Sequence, residues 1–191
     1  MKRISILTSS FALSAALTLM PGALMAQNSM GQSSMGSDNS GSHLSASDRK
    51  FVSAAAEGGM AEVELGQMAQ QKGASDQVKQ FGQRMVTDHT KANDQLKEVA
   101  MKEGIQLPTK LSAQDEMTKQ RLSKLSGEQF DKAYMSDMVK DHTKDVADFQ
   151  RESTSGQDPA VKDFASETLP TLQSHLQEAQ QIDPATSTAS R

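Results

Sequence analysis

Residues 76–103, DQVKQFGQRMVTDHTKANDQLKEVAMKE, contain the clearest helical pattern of the chain. Apolar residues recur there at spacings of three and four, which places them on one face of an α-helix. Ser75 can cap the start of this helix, and Gly104 can end it. The stretch therefore predicts an amphipathic helix that packs against other helices. Its apolar face consists of Val78, Phe81, Met85, Ala92, Leu96 and Val99.

Helical periodicity also predicts three further long helices, over about residues 48–72, 126–156 and 158–182. A short helix over about residues 112–125 lies in the connection between the second and third long helices. Tight loops join the first pair and the last pair, so each pair is expected to be an antiparallel hairpin. The long connection returns along the bundle, which makes the second and third long helices parallel. The predicted fold is all-α, a four-helix bundle with a single crossover.

Two local features refine this prediction. Ser126 precedes the third long helix and has Gln129 three residues later, which is the spacing of a capping box. Pro170 lies inside the last helix, where proline removes one backbone hydrogen bond and predicts a kink. We expect that bend to open a cavity near His175.

Residues 1–26 have the layout of a cleavable secretory signal peptide. Lys2 and Arg3 precede an apolar run over residues 4–20, and small residues at positions 23–26 offer a cleavage site. An uncleaved membrane anchor is the alternative, but the run is short for a spanning helix. We therefore predict a periplasmic or secreted protein with no transmembrane helix in the mature chain. Peripheral association with the outer membrane is compatible with this location.

The remaining chain divides by composition. Residues 27–47 are rich in Ser, Gly and Met and lack periodicity, which predicts a disordered tether. Residues 48–182 form the predicted helical domain, and residues 183–191 form a second disordered tail.

The composition excludes several classes of function. The chain has no cysteine among its 191 residues, which rules out disulfides, thiolate metal sites and a lipoprotein anchor. A net charge of -4 gives no reason to expect nucleic acid as a partner. The sequence also contains no nucleophile elbow, phosphate loop or dinucleotide fingerprint. Enzymatic activity is therefore expected only through a metal.

Two heptapeptides repeat within the helical domain. Residues 85–91, MVTDHTK, and residues 138–144, MVKDHTK, are identical at six of seven positions. The match predicts two related helical hairpins and equates one histidine on each of two long helices.

Each long helix offers one polar group close to its apolar face. His89 lies one turn after an apolar residue, His142 has the same place in the repeat, and His175 borders the face of the last helix. Three imidazoles and a carboxylate are a suitable ligand set for zinc, copper or iron. The sequence thus predicts one transition-metal site with the ligands Glu62, His89, His142 and His175, and with Met85 and Met138 as additional candidates.

A structural role is the more common explanation for residues in such positions, and the metal site is the alternative to it. Histidines on an apolar face commonly form hydrogen bonds to nearby acids or hydroxyls, and methionines commonly fill gaps in a core. In this interpretation Asp88 and Asp141 face outward and pair with Lys91 and Lys144 three residues later.

Several short motifs together resemble the bacterial domain of unknown function 4142 family, whose members often carry the label "outer membrane protein". They are Phe51-Val52-x-x-Ala55-Ala56, Glu62-Val63-Glu64-Leu65-Gly66, Met85-Val86-x-Asp88-His89, Leu107-Pro108, Phe130-Asp131-x-x-Tyr134 and Leu169-Pro170-x-Leu172-x-x-His175. The resemblance covers the predicted helical domain. It implies a ferritin-like four-helix bundle in the cell envelope and no established activity.

The ferritin superfamily suggests di-iron chemistry, but this sequence departs from that site. A di-iron site needs Glu three residues before His on two helices, whereas Val86, Val139 and Leu172 stand at those positions. We therefore predict a non-enzymatic envelope protein with a binding or stress-related role. The alternatives are a metal-dependent oxidoreductase at the same site, or a module that binds a membrane or a partner.

Overall fold

The computed structural model describes residues 44–183, which form five α-helices and no strand. The helices are α1 (Ala46–Lys72), α2 (Asp76–Lys102), α3 (Ala113–Ser123), α4 (Gly127–Ser155) and α5 (Pro159–Ile182). This confirms the predicted all-α class. The predicted signal peptide and the tether as far as residue 43 lie outside the described residues, as does the tail from residue 184.

Side-chain caps fix where most of the helices begin. Ser75, Ser112 and Asp158 accept hydrogen bonds from backbone N–H groups of α2, α3 and α5 at 3.2, 3.1 and 3.0 Å. Ser45 does the same for α1, which therefore begins two residues before the predicted start. Ser126 forms no such bond, so the predicted capping box is absent. The adjacent Gly127 has a φ of 61°, and the chain enters α4 through this left-handed residue.

The helices pack as two antiparallel hairpins, α1 with α2 and α4 with α5. Contacts between the hairpins place α1 against α4 and α2 against α5. Phe81 faces Tyr134 with ring centroids 6.2 Å apart, and His89 faces His142 at 5.6 Å. In these two contacts the residue later in α2 meets the residue later in α4, so α2 and α4 run in the same direction. The two matching heptapeptides thus lie on parallel helices whose side chains meet in the core.

Two apolar clusters make up the core. One contains the rings of Phe51, Phe149 and Phe164 near the α4–α5 loop, and the other contains Phe81 and Tyr134. Along α2, α4 and α5, each histidine lies between residues of the first cluster and residues of the second. The fold therefore surrounds the histidines with apolar side chains on both sides.

The close approach of α1 to α2 depends on two glycines. A Cβ atom on Gly66 would lie 2.6 Å from the carbonyl oxygen of Gly82, and a Cβ on Gly82 would lie 2.7 Å from that of Gly66. No side chain fits at such a distance. The two backbones are therefore in direct contact one turn from Met85.

Two aspartates tie each hairpin to the loop of the other. Asp48 at the start of α1 accepts hydrogen bonds from the backbone N–H groups of Gln157 and Asp158, the latter at 2.9 Å. Asp131 at the start of α4 accepts from Ala74 and Ser75 at 2.9 and 2.8 Å. The arrangement is reciprocal and fixes how the hairpins are placed.

None of the helices between residues 44 and 183 has both the length and the apolar character that a membrane span requires.

Candidate metal centre

Three histidines from three helices meet in the core. His89 of α2, His142 of α4 and His175 of α5 each place one ring nitrogen within 4.8 Å of those of the other two. The ring centroids are 5.3–5.6 Å apart. His142 and His175 have no exposed surface, and His89 is 6% exposed. The structure thus brings together the three histidines that the sequence predicted as ligands.

The helical register explains why these polar side chains are buried. His89 follows Met85 by one turn and His142 follows Met138 by one turn, and both methionines are fully buried. A side chain one turn from a core residue points in the same direction, so the apolar faces of α2 and α4 carry the imidazoles inward.

Hydrogen bonds orient two of the three rings. His175 Nε2 lies 2.7 Å from Asp88 Oδ2, and His142 Nδ1 lies 3.0 Å from the carbonyl oxygen of Met138. Both acceptors lack hydrogen, so these ring nitrogens donate. The opposite nitrogen of each neutral ring then carries a free lone pair. This is the outer-shell arrangement that orients histidine ligands in metal sites.

The nitrogens on the other side of the rings have no partner. His89 Nε2, His142 Nε2 and His175 Nδ1 are buried without a hydrogen bond. Burying a polar group without a partner costs on the order of 1–3 kcal/mol, and such groups are rare in folded proteins. Three of them in adjacent rings call for a common partner that accepts lone pairs.

All three imidazoles are held in the neutral form. Burial lowers the pKa of His89 well below 6.5, with a smaller contribution from His142 and His175. Burial and then His175 lower the pKa of His142 to about 3. The pKa of His175 is also lowered by burial, which outweighs the opposing hydrogen bond to Asp88. Neutral imidazole is the form that binds metals, so protons do not compete for these nitrogens near neutral pH.

Glu62 lies beside the three histidines and outside their nitrogen cluster. It is 4% exposed, and its Oε1 lies 3.9 Å from His142 Nδ1, too far for a hydrogen bond. Its Oε2 is buried without a partner. Burial, and then the charges of Asp145 and Asp141, raise the pKa of Glu62 well above 4.5. The 3.9 Å contact places the carboxyl group of Glu62 beside His142 Nδ1, the nitrogen that already donates to the carbonyl oxygen of Met138.

The two candidate methionines lie in the apolar core, and their role as thioether ligands stays a prediction. Met85 and Met138 pack in the apolar cluster with Phe81 and Tyr134. Met138 also contributes its backbone carbonyl oxygen to His142.

Asp88 is the residue that sequence reasoning missed. The expectation that it faces outward and pairs with Lys91 was wrong, because its carboxylate bonds His175 on the neighbouring helix and Arg84 one turn away. The matching expectation for Lys144 was also wrong, since its ammonium group bonds Asp148 at 2.8 Å. The spacing within one helix cannot report a partner on another helix.

Two cavities reach His89. A cleft of about 590 Å³ lies between α1 and α4 and extends inward to it, and a cavity of about 210 Å³ lies between α2 and α5. The smaller cavity is also lined by His175 and by Thr171, the residue after Pro170. A cavity near His175 was predicted from that proline, although α5 continues through it as one helix.

Comparison with known proteins gives one match. The model of a family described as domain of unknown function (DUF4142) matches residues 33–182. No curated protein and no solved structure matches the chain. The family is the one that the sequence motifs resemble.

Proposed function

We propose that this chain, which belongs to the DUF4142 family of unknown function, is a metal-binding protein whose histidines at positions 89, 142 and 175 hold one transition-metal ion. One observation carries the proposal. Each of the three rings has a buried ring nitrogen without a hydrogen bond, and the three side chains meet at one point.

The donor set limits the identity of the ion. Three neutral imidazoles suit zinc, copper or iron, and the chain has no thiolate to select among them. Glu62, the remaining predicted ligand, lies outside the nitrogen cluster and beside the His142 nitrogen that already donates to Met138. Three histidine ligands with a fourth position left for water or another molecule are an established arrangement for zinc.

Asp88 and the carbonyl group of Met138 act as positioning groups in this proposal. Each accepts a hydrogen bond from one imidazole and so fixes its tautomer and the direction of its free lone pair. The ring of His89 lies against both of the others, with centroid distances of 5.6 and 5.4 Å.

We further propose a ferritin-like four-helix arrangement and an envelope location. The parallel course of α2 and α4, with α3 in the connection, supports a single-crossover bundle. The basic and apolar pattern of residues 1–26 supports export to the periplasm. The absence of Glu at positions 86, 139 and 172 favours a mononuclear site over a di-iron site.

The first candidate function is a non-enzymatic one, in metal binding or stress protection. A metal-dependent oxidoreductase is the second candidate, and the cleft that ends at His89 favours it. A bound ion with an open position facing a cavity is the arrangement that substrates need.

The test is the metal content of the mature protein, purified without a histidine tag and measured by mass spectrometry. We expect about one equivalent of zinc, copper or iron, because three converging imidazoles form one site. A variant with both His89→Ala and His142→Ala should lose it, while His43→Ala, outside the described residues, should retain it. Equal metal content in all three proteins, or none in any after incubation with these metals, would exclude the site.

A further inference from the structure

The cleft between α1 and α4 is lined by small residues and by aromatic rings. Ala54, Ala55 and Gly58 of α1 line it, and the rings of Phe51 and Phe149 lie against it with centroids 4.8 Å apart. The small side chains leave about 590 Å³ of space, which is the size of a typical small-molecule site.

Two of the residues that line this space each have one buried polar atom without a hydrogen bond. His89 Nε2 and Glu152 Oε1 form no hydrogen bond, both residues line the cleft, and each is 6% exposed. His89 lies on α2 and Glu152 on α4. On α4, Glu152 follows His142 of the metal centre by ten residues, which is about 15 Å at the usual helical rise. Unpartnered groups in a mostly apolar cavity indicate that a ligand completes it.

We propose that the cleft binds a small, mainly apolar molecule that carries one metal-binding donor atom. The aromatic rings contact the apolar part of the molecule, and the donor atom of the molecule binds the ion beside His89. This rests on the proposed metal site, because the ion supplies the point to which the donor binds. The carboxyl group of Glu152 offers a hydrogen bond to a polar group at the other end of a longer ligand.

Gly58 allows the cleft to be filled without a clash. A Cβ atom at this position would meet no atom within 4 Å, and the residue lines the cleft. Gly58→Leu therefore occupies part of the space, and Gly58→Ala is the matched control. Ala54→Leu narrows the cleft one turn away at an exposed position and serves as a second, independent obstruction.

The experiment uses the mature chain loaded with Co²⁺, whose visible absorption reports its ligands. The probes are 4-phenylimidazole, an aromatic ring system with one donor atom, and azide, which is much smaller. We expect both to shift the absorption of the wild type and of Gly58→Ala. Gly58→Leu and Ala54→Leu should weaken 4-phenylimidazole binding by about tenfold or more, since a steric obstruction acts on the larger ligand. Azide binding should change little.

The outcomes separate this inference from the proposed function. If the wild type develops no Co²⁺ absorption, the metal site itself is wrong and the cleft proposal fails with it. If Co²⁺ binds but 4-phenylimidazole has no effect, or binds equally well to all four proteins, the cleft proposal is overturned while the metal site stands.

Discussion

The surroundings of His175 leave one of its ring nitrogens free to bind a metal. It has no exposed surface; its Nε2 donates to Asp88, and its Nδ1 is buried without a partner. The hydrogen bond decides which nitrogen is free, and burial keeps the ring neutral. A histidine needed only for packing would have no reason to leave a nitrogen unbonded beside two others.

Removing the carboxylate of Asp88 tests its positioning role. Asp88→Ala should weaken metal binding by about 10–100-fold, because His175 then loses the bond that fixes its tautomer and direction. Competition with a chromophoric chelator measures the affinity. Asp94→Ala on the same helix is the control, since Asp94 is exposed and bonds only Lys97 among the contacts described for it. Equal affinities of the two variants would contradict the role of Asp88.

The neutral state of His142 predicts how acid affects the metal-free protein. In the unfolded chain an imidazole takes up its proton near pH 6.5, whereas in the folded chain burial and then His175 lower the pKa of His142 to about 3. Between these values the unfolded state binds one more proton, so the free energy of unfolding falls as the pH falls.

His142→Gln should remove this part of the dependence. From pH 6.5 to 4.5 the wild type should lose stability relative to the variant by up to about 1.4 kcal/mol per pH unit. Urea unfolding at several pH values measures it. The pKa of Asp145, raised by burial to about 7, acts in the opposite sense in both proteins and so cancels in the comparison. Parallel stability curves would show that folded His142 takes up its proton over the same pH range as in the unfolded chain.

At the scale of the elements, α1 and α2 are brought together by their glycines. The backbone contact at Gly66 and Gly82 lies one turn from Met85 and two turns from His89. Periodicity predicts that these helices are amphipathic, but it does not give the distance between them. That distance is set by residues without side chains.

Gly66→Ala should destabilise the protein by about 1–3 kcal/mol, because its Cβ would lie 2.6 Å from a carbonyl oxygen that belongs to the helix backbone and cannot rotate away. Urea unfolding of the metal-free protein is the measurement. Gly58→Ala on the same helix is the matched control, since its Cβ meets nothing within 4 Å, and it should gain up to about 1 kcal/mol from helix propensity. A loss of the same size in both variants would argue against close helix contact.

At the scale of the whole described domain, the two hairpins correspond to each other in a way that the heptapeptide repeat did not reveal. Residues 73–81, GASDQVKQF, and residues 156–164, GQDPAVKDF, share Gly, Val, Lys and Phe at equivalent positions. The same offset of 83 residues relates Asp48 to Asp131, the two aspartates that bind these loops. The heptapeptides compare α2 with α4, whereas the hairpins correspond as α1 with α4 and α2 with α5.

The reciprocal aspartates should stabilise the fold without contributing to the metal site. Asp131→Ala should cost about 1–3 kcal/mol, because two backbone N–H groups lose a charged acceptor. Thermal or urea unfolding measures the loss, and metal content should stay the same. Lys132→Ala, at the adjacent exposed position, should stay within about 0.5 kcal/mol of the wild type. Loss of metal in Asp131→Ala at full helicity would mean that the loop contact also shapes the centre.

Local patterns along the chain were sufficient to predict the helices and the three histidines of the candidate site. Ser75 was recognisable as a cap because capping depends on residues within one turn. His89 and His142 were recognisable as buried because the helical period fixes which side chains share a face. Local spacing is sufficient for both conclusions.

How these parts meet could not be predicted from local patterns. The convergence of three ring nitrogens, the bond from His175 to Asp88 and the place of Glu62 outside the nitrogen cluster all depend on the rotation and separation of different helices. The cleft at His89 likewise arises from small residues on α1 that face rings on α4 and α5. The spacing of apolar residues along a helix indicates which of its faces is buried. The atoms that this face touches are determined by how the helices pack, and that is a property of the whole fold.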